Sequence, residues 1–151
     1  MGNFNLFLRL LLILVFISPA TARAQKTDLK SDTALINVTL AKAGNSQGDT
    51  AIQFYNTAIQ TAEKCLSEGG SRAYLEAIKR KLVKARLGLG LVFYNRMDYS
   101  KALDSYRLAL EAAVNLGDPY LIGECYFNDA EVYLEQSRFA DAIKFYRQSL
   151  D

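Results

Sequence analysis

The sequence contains no histidine. Imidazole is the commonest general base and the commonest metal ligand near neutral pH, so its absence removes the usual centre of hydrolytic and zinc chemistry. Cysteine is nearly as scarce. Cys65 and Cys125 stand alone, and two isolated thiols do not make a zinc site. Proline occurs only at positions 19 and 119, so long stretches carry nothing that would break a helix. No apolar run reaches the ~20 residues that a bilayer span needs. The longest, from Phe4 to Ile17, is interrupted by Arg9.

That short apolar run reads as an export leader. Residues 1–9 are weakly basic, Leu10 to Ile17 is unbroken and apolar, and Ser18-Pro19 ends it. Ala22-Arg23-Ala24 then supplies small residues before Gln25, the order of a cleavable signal peptide. No cysteine follows the cleavage point to take a lipid anchor. We therefore expect a signal peptide over residues 1–24 and an exported chain, periplasmic or secreted. The alternative is the periplasmic part of an inner-membrane protein.

Removing Arg9 and Arg23 with the leader leaves sixteen basic residues against sixteen acidic ones. A nucleic-acid partner calls for a basic excess, and there is none. The charges are nevertheless sorted. From Arg72 to Arg96 only Glu76 is acidic, whereas from Leu108 to Ser137 there are six acids and no base. Half of the residues are hydrophobic, which suits a folded chain rather than a disordered one.

Beyond residue 25 the apolar positions recur at three and four, as in Ile78, Leu82, Leu89 and Phe93, or Tyr99, Leu103, Tyr106 and Leu110. That spacing is helical, and nothing alternates as a strand would. Gly48-Asp49, Gly69-Gly70-Ser71, Asp98 and Gly117-Asp118-Pro119 punctuate the chain. The last combines a glycine stop, an N-cap acceptor and proline at the first helical position. Six helices are predicted, over 29–43, 50–66, 72–96, 99–116, 119–136 and 139–151. The fold class is all-α.

The chain also repeats itself. "ALDSYRLALE" from Ala102 and "AIKFYRQSLD" from Ala142 share alanine, tyrosine, arginine and leucine at an offset of 40 residues. Periods of 20–50 residues mark stacked units, none able to bury its apolar face alone. One unit carries Arg86, Leu89, Gly90, Phe93, Tyr99, Ala102, Tyr106 and Ala109; the next carries Tyr126, Ala130, Tyr133, Phe139, Ala142 and Tyr146. This pattern resembles the tetratricopeptide repeat. It departs from that family at Arg86, where a bulky residue is usual, at Asp129, where leucine is usual, and at Ser149, where alanine is usual. An earlier unit fits loosely, through Leu35, Val38, Thr39, Ala51, Tyr55 and Ala58. The resemblance implies a right-handed superhelical stack of helix-turn-helix units over residues 25–151. About three units are expected, near 28–68, 71–116 and 119–151, the last incomplete because Asp151 aligns with Glu111, inside the preceding unit's helix. Cys65 and Cys125 then lie a whole unit apart, and no bond between them is expected.

Long repeats behind a leader are similar in architecture to the sensory amino-terminal regions of bacterial membrane histidine kinases and transcriptional regulators. The function expected is a non-catalytic scaffold that binds a protein or peptide outside the cytoplasm, or else the sensory segment of a longer transducer. No cofactor, metal or nucleic acid is expected. "GLGLVF" from Gly88 lacks the third glycine of a dinucleotide fingerprint, so Gly90 reads as a close-packing residue of a helix pair. Asp129 and Glu131 read as a solvated acidic face. Asn37-Val38-Thr39 reads as a chance sequon. In the resembling family the first helix of each unit lines the concave face. That places Arg80, Lys84, Gly88, Leu91 and Asn95 opposite Glu124, Asn128, Glu131 and Glu135, where either Lys84 and Glu124 neutralise each other or the groove takes a mixed-charge peptide whose basic end meets Glu131 and Glu135.

Overall fold

The computed structural model describes residues 19–150, with side chains from residue 30 onward. Most of the expected leader therefore lies outside the described residues. Six helices follow one another: α1 (Pro19–Gly44), α2 (Gly48–Glu68), α3 (Arg72–Asn95), α4 (Tyr99–Leu116), α5 (Pro119–Glu135) and α6 (Phe139–Gln148). Among the described residues there is no strand, and no helix is long and apolar enough to cross a membrane. The chain divides after Ser31 into two units. The packed helical stack is the second, from Asp32 onward.

The boundaries differ from expectation mainly at the two ends. α1 begins at Pro19 rather than near residue 29, because no glycine or proline interrupts the chain until Gly44. Its helix runs without a break through the expected cleavage point. α6 ends at Gln148 rather than at 151. There the Ser149 hydroxyl donates to the Tyr146 carbonyl, and the Leu150 N–H donates to Arg147, three residues back. Such a tightened last turn is a common helix ending.

Between these ends the punctuation acts as its chemistry requires. Ser71, Asp98 and Asp118 each accept a hydrogen bond from the third N–H of the helix that follows. Gly117 takes a left-handed conformation to close α4, and Pro119 opens α5. The α3–α4 and α5–α6 turns are copies. Met97 and Ser137, 40 residues apart, both sit at positive φ of about 60°. In each turn the next N–H reaches back five residues, Asp98 to Phe93 (2.9 Å) and Arg138 to Tyr133 (2.8 Å). The sequence repeat is thus a repeat of backbone geometry.

From α2 onward each helix packs against its neighbours in the chain, and α3 also reaches α5. Two apolar clusters result. One gathers Ile36, Ala58, Ala62, Cys65, Ile78, Leu82 and Ala85. The other gathers Val83, Leu87, Ala102, Tyr106, Ala109, Ala113, Leu121, Cys125 and Val132. Helix α3 belongs to both. Cys65 and Cys125 are buried free thiols, one in each cluster. Arg86 is explained by its partners. Its side chain is only 16% exposed, and its guanidinium donates to the Leu108 carbonyl of α4 (2.9 Å) and to Glu63 of α2 (2.8 Å), tying three helices where a bulky residue was expected.

Gly90 is buried under the ring of Tyr106, and a Cβ there would lie 2.3 Å from it. The close packing is of ring on backbone. Tyr106 is itself buried and cannot swing away. Exchanging glycine for alanine inside a helix ordinarily stabilises it by about 1 kcal/mol, but overpacking a full core costs ~1–3 kcal/mol. We expect Gly90→Ala to lower the urea midpoint. Gly44→Ala, in open space, should leave it unchanged or raise it. A stabilising Gly90→Ala would contradict this packing.

Candidate functional site

The first helices of successive units, α3 and α5, meet only lightly, since both pack chiefly on α4 between them. The gap is a cleft of about 370 Å³ lined by Lys84, Leu87, Gly88 and Leu91 of α3 and by Tyr120, Glu124 and Asn128 of α5. Along α3 the lining recurs at three and four residues, and along α5 at four, so each helix turns one face to the gap. A second cleft of about 360 Å³ continues from it past Lys84 and Tyr120 to Leu40, Ala77, Arg80, Lys81, Asp118 and Leu121. Together they form a trough across one face of α1, α3 and α5.

Four of the sequence-predicted binding residues, Lys84, Leu91, Glu124 and Asn128, meet in the first cleft. Gly88 lies at its base, where Tyr55 of α2 covers the glycine from the other side. Arg80 lines the second cleft, and Asn95, Glu131 and Glu135 line neither. Asn95 and Glu135 are exposed, and Glu131 is half-buried, accepting a hydrogen bond from the Tyr146 hydroxyl. Tyr94 of α3 is held above its ordinary pKa by burial and then by Glu135 and Glu131, which face it from α5. Tyr146 is pushed up to about 12, chiefly by its bond to Glu131. These two acids therefore serve a tyrosine-lined seam at the carboxyl ends of α3 and α5.

The charges do not cancel across the cleft. Arg80 pairs with Asp118, Arg86 with Glu63 and Arg96 with Asp49, and Lys81 donates to Asn37. Lys84 and Glu124, on facing walls of one cleft, form neither an ion pair nor a hydrogen bond with each other. Glu124 offers its backbone carbonyl to the Asn128 amide (2.7 Å) and leaves its carboxylate to the cleft.

Tyr120 and Leu87 were missed from sequence, although spacing could have found both. Tyr120 is one turn before Glu124, and Leu87 lies between Lys84 and Leu91. Tyr120 is 77% exposed, a large ring held over the junction of the two clefts.

Asp129 corrects the reading of a solvated acidic face. It is 8% exposed, on the same side of α5 as Cys125 and Val132. Its place in the repeat, where leucine is usual, was the signal to follow. Nearby, burial and then this carboxylate push the Cys125 thiol up to about 12.

In the middle unit the residues of the repeat pattern lie in or beside the core. Gly90, Ala102, Tyr106 and Ala109 are buried, while Leu89, Phe93 and Tyr99 are half-buried beside them. In the next unit Ala130 and Ala142 are buried, Tyr126 and Tyr133 pack on Phe145, and Tyr146 packs on Phe127. Phe139 departs from this, at 61% exposed, because it faces no further helix among the described residues. Residues 82–151 match the family model of the tetratricopeptide repeat. Those residues, a little under half of the chain, are thus a tetratricopeptide repeat segment. No curated protein matches the chain. The matched segment begins inside α3 and takes in the two units whose turns are copies. Tetratricopeptide repeats are scaffolds for protein interaction, which makes the trough across their first helices the candidate interface.

Burial raises the Asp129 carboxyl to about 7, against ~3.9 in an unfolded chain. Between those values the folded state holds a proton that the unfolded state releases. The contribution is therefore complete below pH ~4 and is lost as the pH rises through 7. Urea titrations at pH 5 and pH 8 should show Asp129→Asn gaining on the wild type by on the order of 2 kcal/mol at the higher pH. Equal differences at both would place the carboxylate in solvent.

Proposed function

We propose that this protein is a non-catalytic scaffold that holds an extended segment of a partner protein in the trough across α1, α3 and α5. The carrying observation is the trough's composition. Leu87, Gly88 and Leu91 give an apolar floor, Tyr120 an exposed ring, and Lys84, Glu124 and Asn128 convergent polar groups. Few polar groups over an apolar floor are the usual make-up of a binding site. At the carboxyl ends of α3 and α5 the exposed Asn95 and Glu135 lie beyond the cleft and leave an acid open to a basic residue of the partner. Neighbouring acids disfavour a ligand that is acidic throughout.

The leader over residues 1–24 supports action outside the cytoplasm, in the periplasm or beyond the cell. A mature amino terminus other than Gln25 would remove that half of the reading.

Leu91 is about half exposed, so Leu91→Asp changes the cleft floor at little cost to the fold. Peptides selected by binding to the wild-type protein should bind Leu91→Asp about five- to thirtyfold more weakly, as loss of a buried apolar contact of ~1–2 kcal/mol implies. The helical circular dichroism should not change. Unchanged binding, or binding lost instead to Ile143→Asp on the exposed side of α6, would place the interface elsewhere.

A further inference from the structure

The facing pair Lys84 and Glu124 separates this cleft from the rest of the surface. On α3 the arginines are satisfied within the fold, Arg72 by Glu76, Arg80 by Asp118 and Arg86 by Glu63, whereas Lys84, like Lys79, has no ion pair among the described residues. Lys84 and Glu124 line one gap with opposite charges and do not join. The cleft between them is lined as well by Leu87, Gly88, Leu91 and Tyr120, so an occupant would meet both charges beside apolar groups.

We propose that the cleft reads a mixed-charge dipeptide spacing: an acidic residue and a basic residue two positions apart in an extended partner segment. The carboxylate meets Lys84 on the α3 wall, and the ammonium or guanidinium meets Glu124 on the α5 wall. In an extended chain, residues i and i+2 point the same way and lie about 7 Å apart. Lys84 and Glu124 border one cleft from its two walls, so two side chains at that spacing can address both walls at once. The Asn128 side chain stands one turn beyond Glu124 to meet the segment's backbone, and Tyr120 and Leu91 cover its apolar atoms. This inference rests on the trough being the interface. It adds the identity of the charges that the trough selects.

The test uses the exported chain and three fluorescent peptides that differ only at the two positions: Asp-Leu-Lys, Asp-Leu-Asp and Lys-Leu-Lys within one neutral flank. The wild type should prefer the mixed peptide by roughly three- to fivefold for each mismatched charge, the worth of a partly exposed ion pair. That preference should shrink as salt is added. Lys84→Glu makes both walls acidic and should transfer the preference to Lys-Leu-Lys. Glu124→Lys makes both basic and should transfer it to Asp-Leu-Asp. The double reversal, Lys84→Glu with Glu124→Lys, should restore the mixed peptide, an outcome that damage to the fold cannot imitate. Single variants that weaken all three peptides alike would overturn the charge reading and leave the trough in place as the interface. Failure of the wild type to bind any of the three, while binding peptides selected from a library through Leu91, would overturn it too. Failure to bind any peptide at all would remove both readings.

Discussion

The fold depends on one helix having no idle buried side. α3 gives Ile78, Leu82 and Ala85 to the cluster it shares with α1 and α2, and Val83 and Leu87 to the cluster it shares with α4 and α5. The ring of Tyr106 can lie on α3 only because Gly90 has no side chain. Each unit alone would leave an apolar face in water, so the stacking of units, not the helix propensity of any one, holds the structure. Arg86 reinforces the same helix from outside the apolar clusters, bonded at once to α2 and α4.

The cleft is a consequence of that arrangement. α4 takes the apolar sides of both α3 and α5, so these two helices approach each other without interdigitating. A light contact between helices leaves space, and apart from Leu87, which serves both, the residues that border it are those left over from the core. On α3 these are Lys84, Gly88 and Leu91; on α5, Tyr120, Glu124 and Asn128. Binding surface and core are complementary faces of the same two helices.

Much of this was legible in the sequence because it is local chemistry. Caps at Ser71, Asp98 and Asp118, the stop at Gly117 and the three-and-four spacing fix where helices run, and the offset of 40 residues fixes which helices correspond. What was not legible is how deeply a face is buried. Asp129 looked solvated beside Glu131, but adjacent residues on a helix point about 100° apart, and only one of the two faces the core. Glu131 looked free for a ligand, yet Tyr146 from the next helix binds it. Lys84 and Glu124 looked like partners because charge can be read from a sequence, whereas the width of the cleft that they border cannot. The early start of α1 shows the reverse limit, since a helix continues until a residue stops it, whatever domain boundary the composition suggests.

The account makes α3 the shared wall of the stack, and native-state hydrogen exchange addresses that directly. Amides in the middle of α3, from Ile78 to Leu87, should exchange only through the largest opening, together with those of α4 around Ala102 to Ala109. The amides of α6 should exchange earlier, because Phe139, Ile143 and Leu150 face solvent. Amides of α3 exchanging as early as those of α6, or in two separate steps for its two faces, would contradict the claim that one helix joins both clusters into a single cooperative unit.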